Sequence, residues 1–163
     1  MHEPQVIHHK ILDPKQLVFQ LNRWKLLSKT VAFTNGCFDI LHPGHIASLS
    51  DAAKEADFLV VGLNSDASAK RLKGPGRPVM DEKSRALMLA ALQMVDVVIL
   101  FEEDTPLELI RMVKPDVLVK GGDYTLEQIV GANEVITWGG RVVINPILDG
   151  FSSTGIMGKI KTL

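Results

Sequence analysis

The chain has 163 residues, 46% of them hydrophobic and 23% charged, enough apolar residue to bury a core and fold as one soluble domain. Lys plus Arg total 18 against 19 Asp plus Glu, and a net charge of −1 gives no bulk electrostatic case for a nucleic-acid or anionic-membrane partner. The single Cys37 excludes an internal disulfide, no run reaches the ~20 apolar residues of a membrane span, and no charged-then-apolar leader opens the chain, so a cytoplasmic protein is expected.

Residues 1–13 show no clear period and read as a frayed leader. From Pro14 to Ser28, Leu17, Leu21, Trp24 and Leu27 recur at helical spacing, with Asp13 as N-cap and Pro14 as first-turn proline. Residues 1–29 are therefore expected to form a leader and helix packing on a domain of residues 30–163. From Thr30 short apolar runs alternate with helical segments: VAFTN (31–35), a helix from about Pro43 to Glu55, FLVVGLN (58–64), then an irregular stretch, Ser65–Met80, read as the longest loop. Next come a helix from Asp81 to about Met94, VVIL (97–100), a helix from Thr105 to Val113, VLVK (117–120) and a short helical piece near 125–130. VIT (135–137) and VVIN (142–145) read as strands, and a last helix starts at Ser153.

Runs of unbroken Val, Ile and Leu are strands buried on both faces, and helices between them make neighbours parallel. The expected class is α/β, Rossmann-like and doubly wound, with a mainly parallel five-stranded sheet and helices on both faces. In such a sheet ligands bind beyond the carboxyl ends of the strands, where strand order reverses. The polar and glycine-rich segments at those ends are residues 35–45, 64–66, 102–106 and 120–124.

After the first strand, His42 and His45 flank a helix start with Pro43 between them, so both imidazoles can face the positive end of that helix. Free N–H groups there favour an anion, and Gly36 and Gly44 let backbone approach it. The plainer reading of His-x-x-His is two unrelated histidines. A zinc site does not fit, because the helical zinc motif is spaced i,i+4 with Glu, and the remaining histidines are His2, His8 and His9. Cys37 is either a nucleophile or, more commonly for such a residue, a small buried thiol. Neither a P-loop nor a dinucleotide glycine fingerprint is present.

TNGCFDILHPGH resembles the H-x-G-H signature of the nucleotidyltransferase superfamily, which includes cytidylyltransferases and pantetheine-phosphate adenylyltransferase. The likeness continues through GLNSDASAKRLKGPGRPV, the Arg85-bearing helix, FEEDTPLELI, KPDVLVKGGDY and GFSSTGI. Within the superfamily the chain is similar to the D-glycero-β-D-manno-heptose 1-phosphate adenylyltransferases, which occur alone or fused to a sugar kinase. No kinase half accompanies it, so the stand-alone form is expected.

The resemblance implies transfer of AMP from ATP to a sugar 1-phosphate with release of pyrophosphate. It implies catalytic roles for His42, His45 and Lys73, the last as a mobile cation in the long loop. Nucleotide and phosphate contacts are implied for Asn35, Gly36, Cys37, Phe38, Gly44, Arg85, Lys120, Gly121, Asp123, Ser152, Ser153 and Thr154, and sugar-phosphate contacts for Arg77 and Asp39. Each has a plainer counterpart. Lys73 can be a solvated lysine, Arg85 can pair with Asp81, Asp123 can cap a short helix and the hydroxyl run can be an N-cap. Asp39 can orient its own loop. Met157 departs from the relatives that carry arginine at its position. No carboxylate cluster offers a metal cage, so Mg²⁺ is expected to ride on the triphosphate. A homodimer is left open. Two other readings stand beside this one: a cytidylyltransferase acting on glycerol 3-phosphate or a related phospho-alcohol, and a non-catalytic nucleotide-binding regulatory module.

Overall fold

Alternating burial on both faces of the central strands organises the molecule. In the computed structural model, which describes residues 5–146, 148 and 150–162, strand β2 (Val31–Gly36) points Val31 and Phe33 to one face and Ala32 to the other. Strand β3 (Phe58–Asn64) does the same with Val60 against Leu59, Val61 and Leu63. With strands β1 (Ile11–Leu12), β4 (Val97–Phe101), β5 (Val117–Gly121) and β6 (Arg141–Asn145), they form one six-stranded parallel sheet in the order β1-β4-β3-β2-β5-β6.

Helices α2 (Pro14–Leu26), α6 (Leu107–Val113) and α7 (Ala132–Thr137) cover one face through Leu17, Trp24, Leu109, Ile110, Val113 and Val135. Helices α1 (Gln5–His8), α3 (Pro43–Ala53) and α5 (Glu82–Ala90) cover the other, where Leu49, Ala52, Ala86, Leu89 and Ala90 are buried. The chain steps from β2 through β3 to β4, then returns to place β5 on the far side of β2. The reversal of strand order therefore falls at the carboxyl ends of β2 and β5, and helices α4 (Asp66–Lys73) and α8 (Ser153–Lys161) complete that end.

Four sequence expectations differ from the structure. The sheet has six strands rather than five, because Ile11 and Leu12 pair with Val98 and Ile99 along the edge of β4. Two residues are too few to show a period. Lys10, which donates to the carbonyls of Leu92 and Val95 at 3.2 and 2.7 Å, docks the expected frayed leader. Residues 1–4 of that leader lie outside the described residues. VIT (135–137) is the end of helix α7: Ala132 and Val135 are buried one turn apart while Ile136 is 50% exposed, a helical alternation. Gly131 starts this helix at φ 86°, and the Ile110 side chain occupies the space its Cβ would need.

Ser65–Met80 is not one loop. Ser65 accepts from the Ser68 amide at 3.2 Å and caps α4, so the irregular part shrinks to residues 74–80. The helix expected to reach Met94 ends at Ala90, and the chain then turns to bury Val95. Among the described residues no helix is long and apolar enough to cross a membrane.

Helix α2 belongs to the same core as the sheet, since Trp24 is 5% exposed and stacks on Phe58 with ring centroids 4.1 Å apart. Trp24→Ala is expected to cost about 3–5 kcal/mol of unfolding free energy, the usual cost of truncating a buried aromatic. Urea denaturation followed by circular dichroism measures it, and a loss below about 1 kcal/mol would mean that α2 is dispensable to the core.

Candidate active site

The loop leaving β2 turns sharply because Phe38 adopts φ 44°, a left-handed conformation that a non-glycine residue holds only under restraint. The restraint is its ring, which is 9% exposed within the apolar layer under α3 and lies 5.2 Å from the His45 ring. This turn delivers the chain to His42, the N-cap of α3, whose side chain makes no capping bond and so stays available. Pro43 opens the helix, and Gly44 lets its first turn pass the His42 ring, which lies 3.0 Å from where a Cβ would stand. His42 and His45 then stack with ring centroids 3.8 Å apart.

Both imidazoles face a cavity of about 350 Å³ at the strand-order reversal. Its floor is the end of β2 and the following loop, from Thr34 to Asp39. One wall is the end of β5, with Lys120, Gly121 and Tyr124. The others are Lys73 and Arg77 from α4 and its loop, and Phe151 to Thr154 at the start of α8. Ser152 caps α8 by accepting from the Gly155 amide at 3.0 Å, and the Ser153 hydroxyl donates to the Ile40 carbonyl at 3.4 Å, joining the two helix starts. Two helices thus present their amino ends to one space, and free amide groups there favour anions.

Electrostatics follow from burial. Desolvation lowers the pKa of His42, and it lowers His45 to about 4, with the His42 and Lys73 charges adding to the effect and the Ile40 carbonyl opposing it. Both rings are neutral at pH 7, and the Nδ1 atoms of both are buried without a hydrogen-bond partner. Burial also lowers Lys120, whose ammonium lies 3.5 Å from Asn35 Oδ1 and 5.7 Å from the centroid of the Tyr124 ring. The same cause raises the Cys37 thiol, which favours the protonated thiol over a nucleophilic thiolate. Among the described residues Asp39 is the only carboxylate of the lining and is paired with Arg77, while Lys73 and Lys120 have no carboxylate partner there. The cavity is cationic although the chain carries −1.

No group of three or more His, Cys, Asp or Glu stands close enough to hold a metal ion among the described residues. A resident cation does not fit this donor set, whose one carboxylate already serves Arg77 and two backbone amides.

Three residues expected at the site stand elsewhere. Gly44 lies behind His42 rather than on the cavity surface. Asp123 is exposed and outside the lining, and it does not cap the next turn either, which Thr125 and Gln128 close between them. Arg85 has a side chain with no exposure and spends its donors inside the protein, on the carbonyls of Met80, Cys37 and Asn64 and on Asp66. Its expected partner Asp81 instead accepts from Ser84. Lys73 ends a helix rather than riding a long loop, and α4 is held by Arg71, which bonds Asp104 and the Glu102 carbonyl. Asp39 does not bond its own loop but accepts from the amides of Val79 and Met80.

Thr34, Ser48, Tyr124 and Phe151 line the cavity unforeseen. Ser48 had a readable signal, standing one turn after His45 on the same helix face. Tyr124 and Phe151 adjoin recognised motifs but carry no signature of their own.

A cytidylyltransferase-like family model matches residues 33–157. The chain is 56% identical to the bifunctional protein HldE of Bradyrhizobium diazoefficiens over 151 residues, 93% of this chain and 31% of that protein. It is 52% identical to the bifunctional protein HldE of Mesorhizobium japonicum over 98% of this chain and 32% of that one. The chain thus spans about a third of the length of these relatives. Among solved structures, the lipopolysaccharide core biosynthesis protein of Thermoplasma volcanium superposes with a TM-score of 0.60 at 32% identity, covering 74% of this chain and 97% of that one. The pantothenate synthetase of Thermus thermophilus shares the fold, with a TM-score of 0.61 at 21% identity over 90% of this chain and 66% of its own.

The histidine pair makes a pH prediction. In the unfolded chain the imidazole takes up a proton near its ordinary value of 6.5 whereas folded His45 does so at about 4, so stability falls as pH drops from 6.5 towards 4 and is unaffected by this group above 6.5. Histidine ring protons followed by NMR should place the His45 midpoint near 4, and adding tripolyphosphate should move it upward. A midpoint at 6.5 with no response to the anion would refute this electrostatic picture.

Proposed function

The chain belongs to the cytidylyltransferase-like family, and from that membership we propose that it transfers AMP from ATP to a sugar 1-phosphate, releasing pyrophosphate. The observation that carries the reading is the stacked His42–His45 pair at the amino end of α3, opening onto the same cationic cavity as the amino end of α8. The acceptor's phosphate oxygen attacks the α-phosphorus in line and pyrophosphate departs. No covalent intermediate with the protein is needed, so catalysis reduces to alignment and to meeting the charge that develops on the phosphoryl oxygens.

The α3 amino end and the two imidazoles meet the α-phosphate region. Neutral rings suit this task, since each still donates one N–H, and a nearby anion raises their basicity as negative charge grows. Ser152, Ser153, Thr154 and Lys73 receive the β- and γ-phosphates and then the pyrophosphate. Lys120, Gly121 and Asn35 stand at the nucleoside end, beside Tyr124. Mg²⁺ enters as part of the triphosphate substrate, held on phosphate oxygens rather than by the protein.

Within this chemistry we assign the acceptor as a heptose 1-phosphate and the product as ADP-heptose. Support comes from the LKGPGRP and VKGGDY segments and from the HldE relatives at 50–57% identity. The assignment places the reaction among soluble nucleotide-sugar enzymes of the cytoplasm.

Incubation with Mg²⁺, each nucleoside triphosphate and a panel of sugar and alcohol phosphates should release pyrophosphate with ATP and heptose 1-phosphate. Release with CTP and glycerol 3-phosphate alone would transfer the chain to the cytidylyl reading. No release with any pair would leave a nucleotide-binding module. His45→Ala should lower kcat by about 10²–10³-fold, the effect of losing one transition-state donor, with its urea midpoint little changed. Activity within a few-fold of wild type would remove His45 from the reaction.

A further inference from the structure

Two arginine–carboxylate pairs tie the segments around the cavity, one behind its lining and one in it, and they differ in what they leave unspent. The Arg85 guanidinium is saturated by three carbonyls and Asp66. Arg77 is held on one side: its Nε stands 2.7 Å from Asp39 Oδ2 in an ion pair that is not aligned as a hydrogen bond, and its Nη1 lies against the sulfur of Met157. A thioether is neutral and a weak acceptor, so the Nη end of Arg77 has not committed its donors to the protein. Arg77 lines both the cavity and an adjoining hollow of about 390 Å³, and the two spaces share Lys73, Arg77 and Thr154.

Asp39 has a side chain only 2% exposed. While Oδ2 holds Arg77, Oδ1 accepts from the amides of Val79 and Met80 at 2.7 and 3.1 Å. One carboxylate therefore grips both ends of the Arg77–Met80 turn from the loop that carries the histidines. Paired with Arg77 it cancels charge, so it adds nothing to the attraction of an anion. What it adds is placement, because the ion pair at Nε and the bonds to the Val79 and Met80 amides hold the guanidinium and its turn in one position, with Nη1 turned to Met157 rather than to the carboxylate.

We infer that Asp39 is a positioning residue that acts through Arg77, holding the free guanidinium edge at the mouth shared by the two spaces, where it takes a phosphate oxygen. The inference rests on the phosphate-binding part of the proposed function. It explains the use of arginine at position 77: a lysine there would be neutralised by Asp39 and would have no second edge to offer.

The test is a double-mutant cycle read by calorimetric binding of tripolyphosphate and by pyrophosphate release. Asp39→Asn keeps an oxygen for the two amides but replaces the grip on Nε with an opposing N–H. Asp39→Asn and Arg77→Ala should each weaken tripolyphosphate binding by roughly tenfold, the scale of one charged hydrogen bond. The double variant should be no weaker than Arg77→Ala alone. Arg77→Lys should fall with Arg77→Ala. Binding by Asp39→Asn within twofold of wild type, additive losses in the double variant, or an Arg77→Lys protein that binds like wild type would each overturn the inference. Should Asp39→Asn fail to fold, Arg77→Lys decides alone. Wild-type protein that binds tripolyphosphate but releases no pyrophosphate would defeat the proposed reaction and leave this cycle interpretable.

Discussion

One buried guanidinium fastens together the segments that build the cavity. Arg85, on α5, reaches the Cys37 carbonyl behind the histidine loop, the Asn64 carbonyl at the end of β3, the Met80 carbonyl at the end of the 74–80 turn, and Asp66 in the first turn of α4. A charge with no exposed side-chain surface is tolerable only with such a full set of partners. The consequence is geometric. The loop bearing His42, the helix ending in Lys73 and the turn bearing Arg77 cannot drift independently, because each is tied to the same planar group. A residue expected to contact phosphate is instead the tie that makes the segments lining the cavity converge.

Convergence also resolves the near-neutral charge of the chain. Some cations elsewhere are matched locally, as Lys29 is with Asp57 and Arg111 with Glu108 and Glu134. At the cavity Lys73 and Lys120 have no carboxylate partner among the described residues, and two helix amino ends add their dipoles. Burial makes these groups costly while the space holds only water: it lowers Lys120 and keeps His45 neutral with a pKa of about 4. A bound polyanion would relieve that cost, because a nearby negative charge favours the charged forms of Lys120 and His45.

What could be read from the sequence were features set by local pattern. The unbroken apolar strand runs, the Asp13 and Ser152 caps and the histidine spacing at Pro43 all depend on residues close together in the chain. The sixteen residues Ser65–Met80 concealed a helix because its apolar side is only Ala69 and a buried Ser68. The strand β1 and the Asp39–Arg77 tie were illegible for a different reason: each is a contact across the sheet or between loops, and neither partner marks the other in one dimension. VIT misled because β-branched residues favour strands on propensity, while burial of Val135 beside Gly131 and Ile110 decided for a helix.

The two ends of the sheet divide stability from chemistry. At the amino ends, carboxylates close the backbone: Asp116 accepts from the Val31 amide and Asp96 from the Leu59 amide, each at 2.8 Å, and Asp57 from the Thr30 amide at 2.9 Å. Each bond fixes where a central strand enters the sheet relative to its neighbour. At the carboxyl ends, backbone and side-chain groups open onto the cavity instead. Register set at one end decides which residues emerge at the other, because a slip of one position would turn Asn35 and Lys120 from the cavity into the layers beneath the helices. The carboxylates farthest from the cavity are in this sense part of its construction, although none of them lines it.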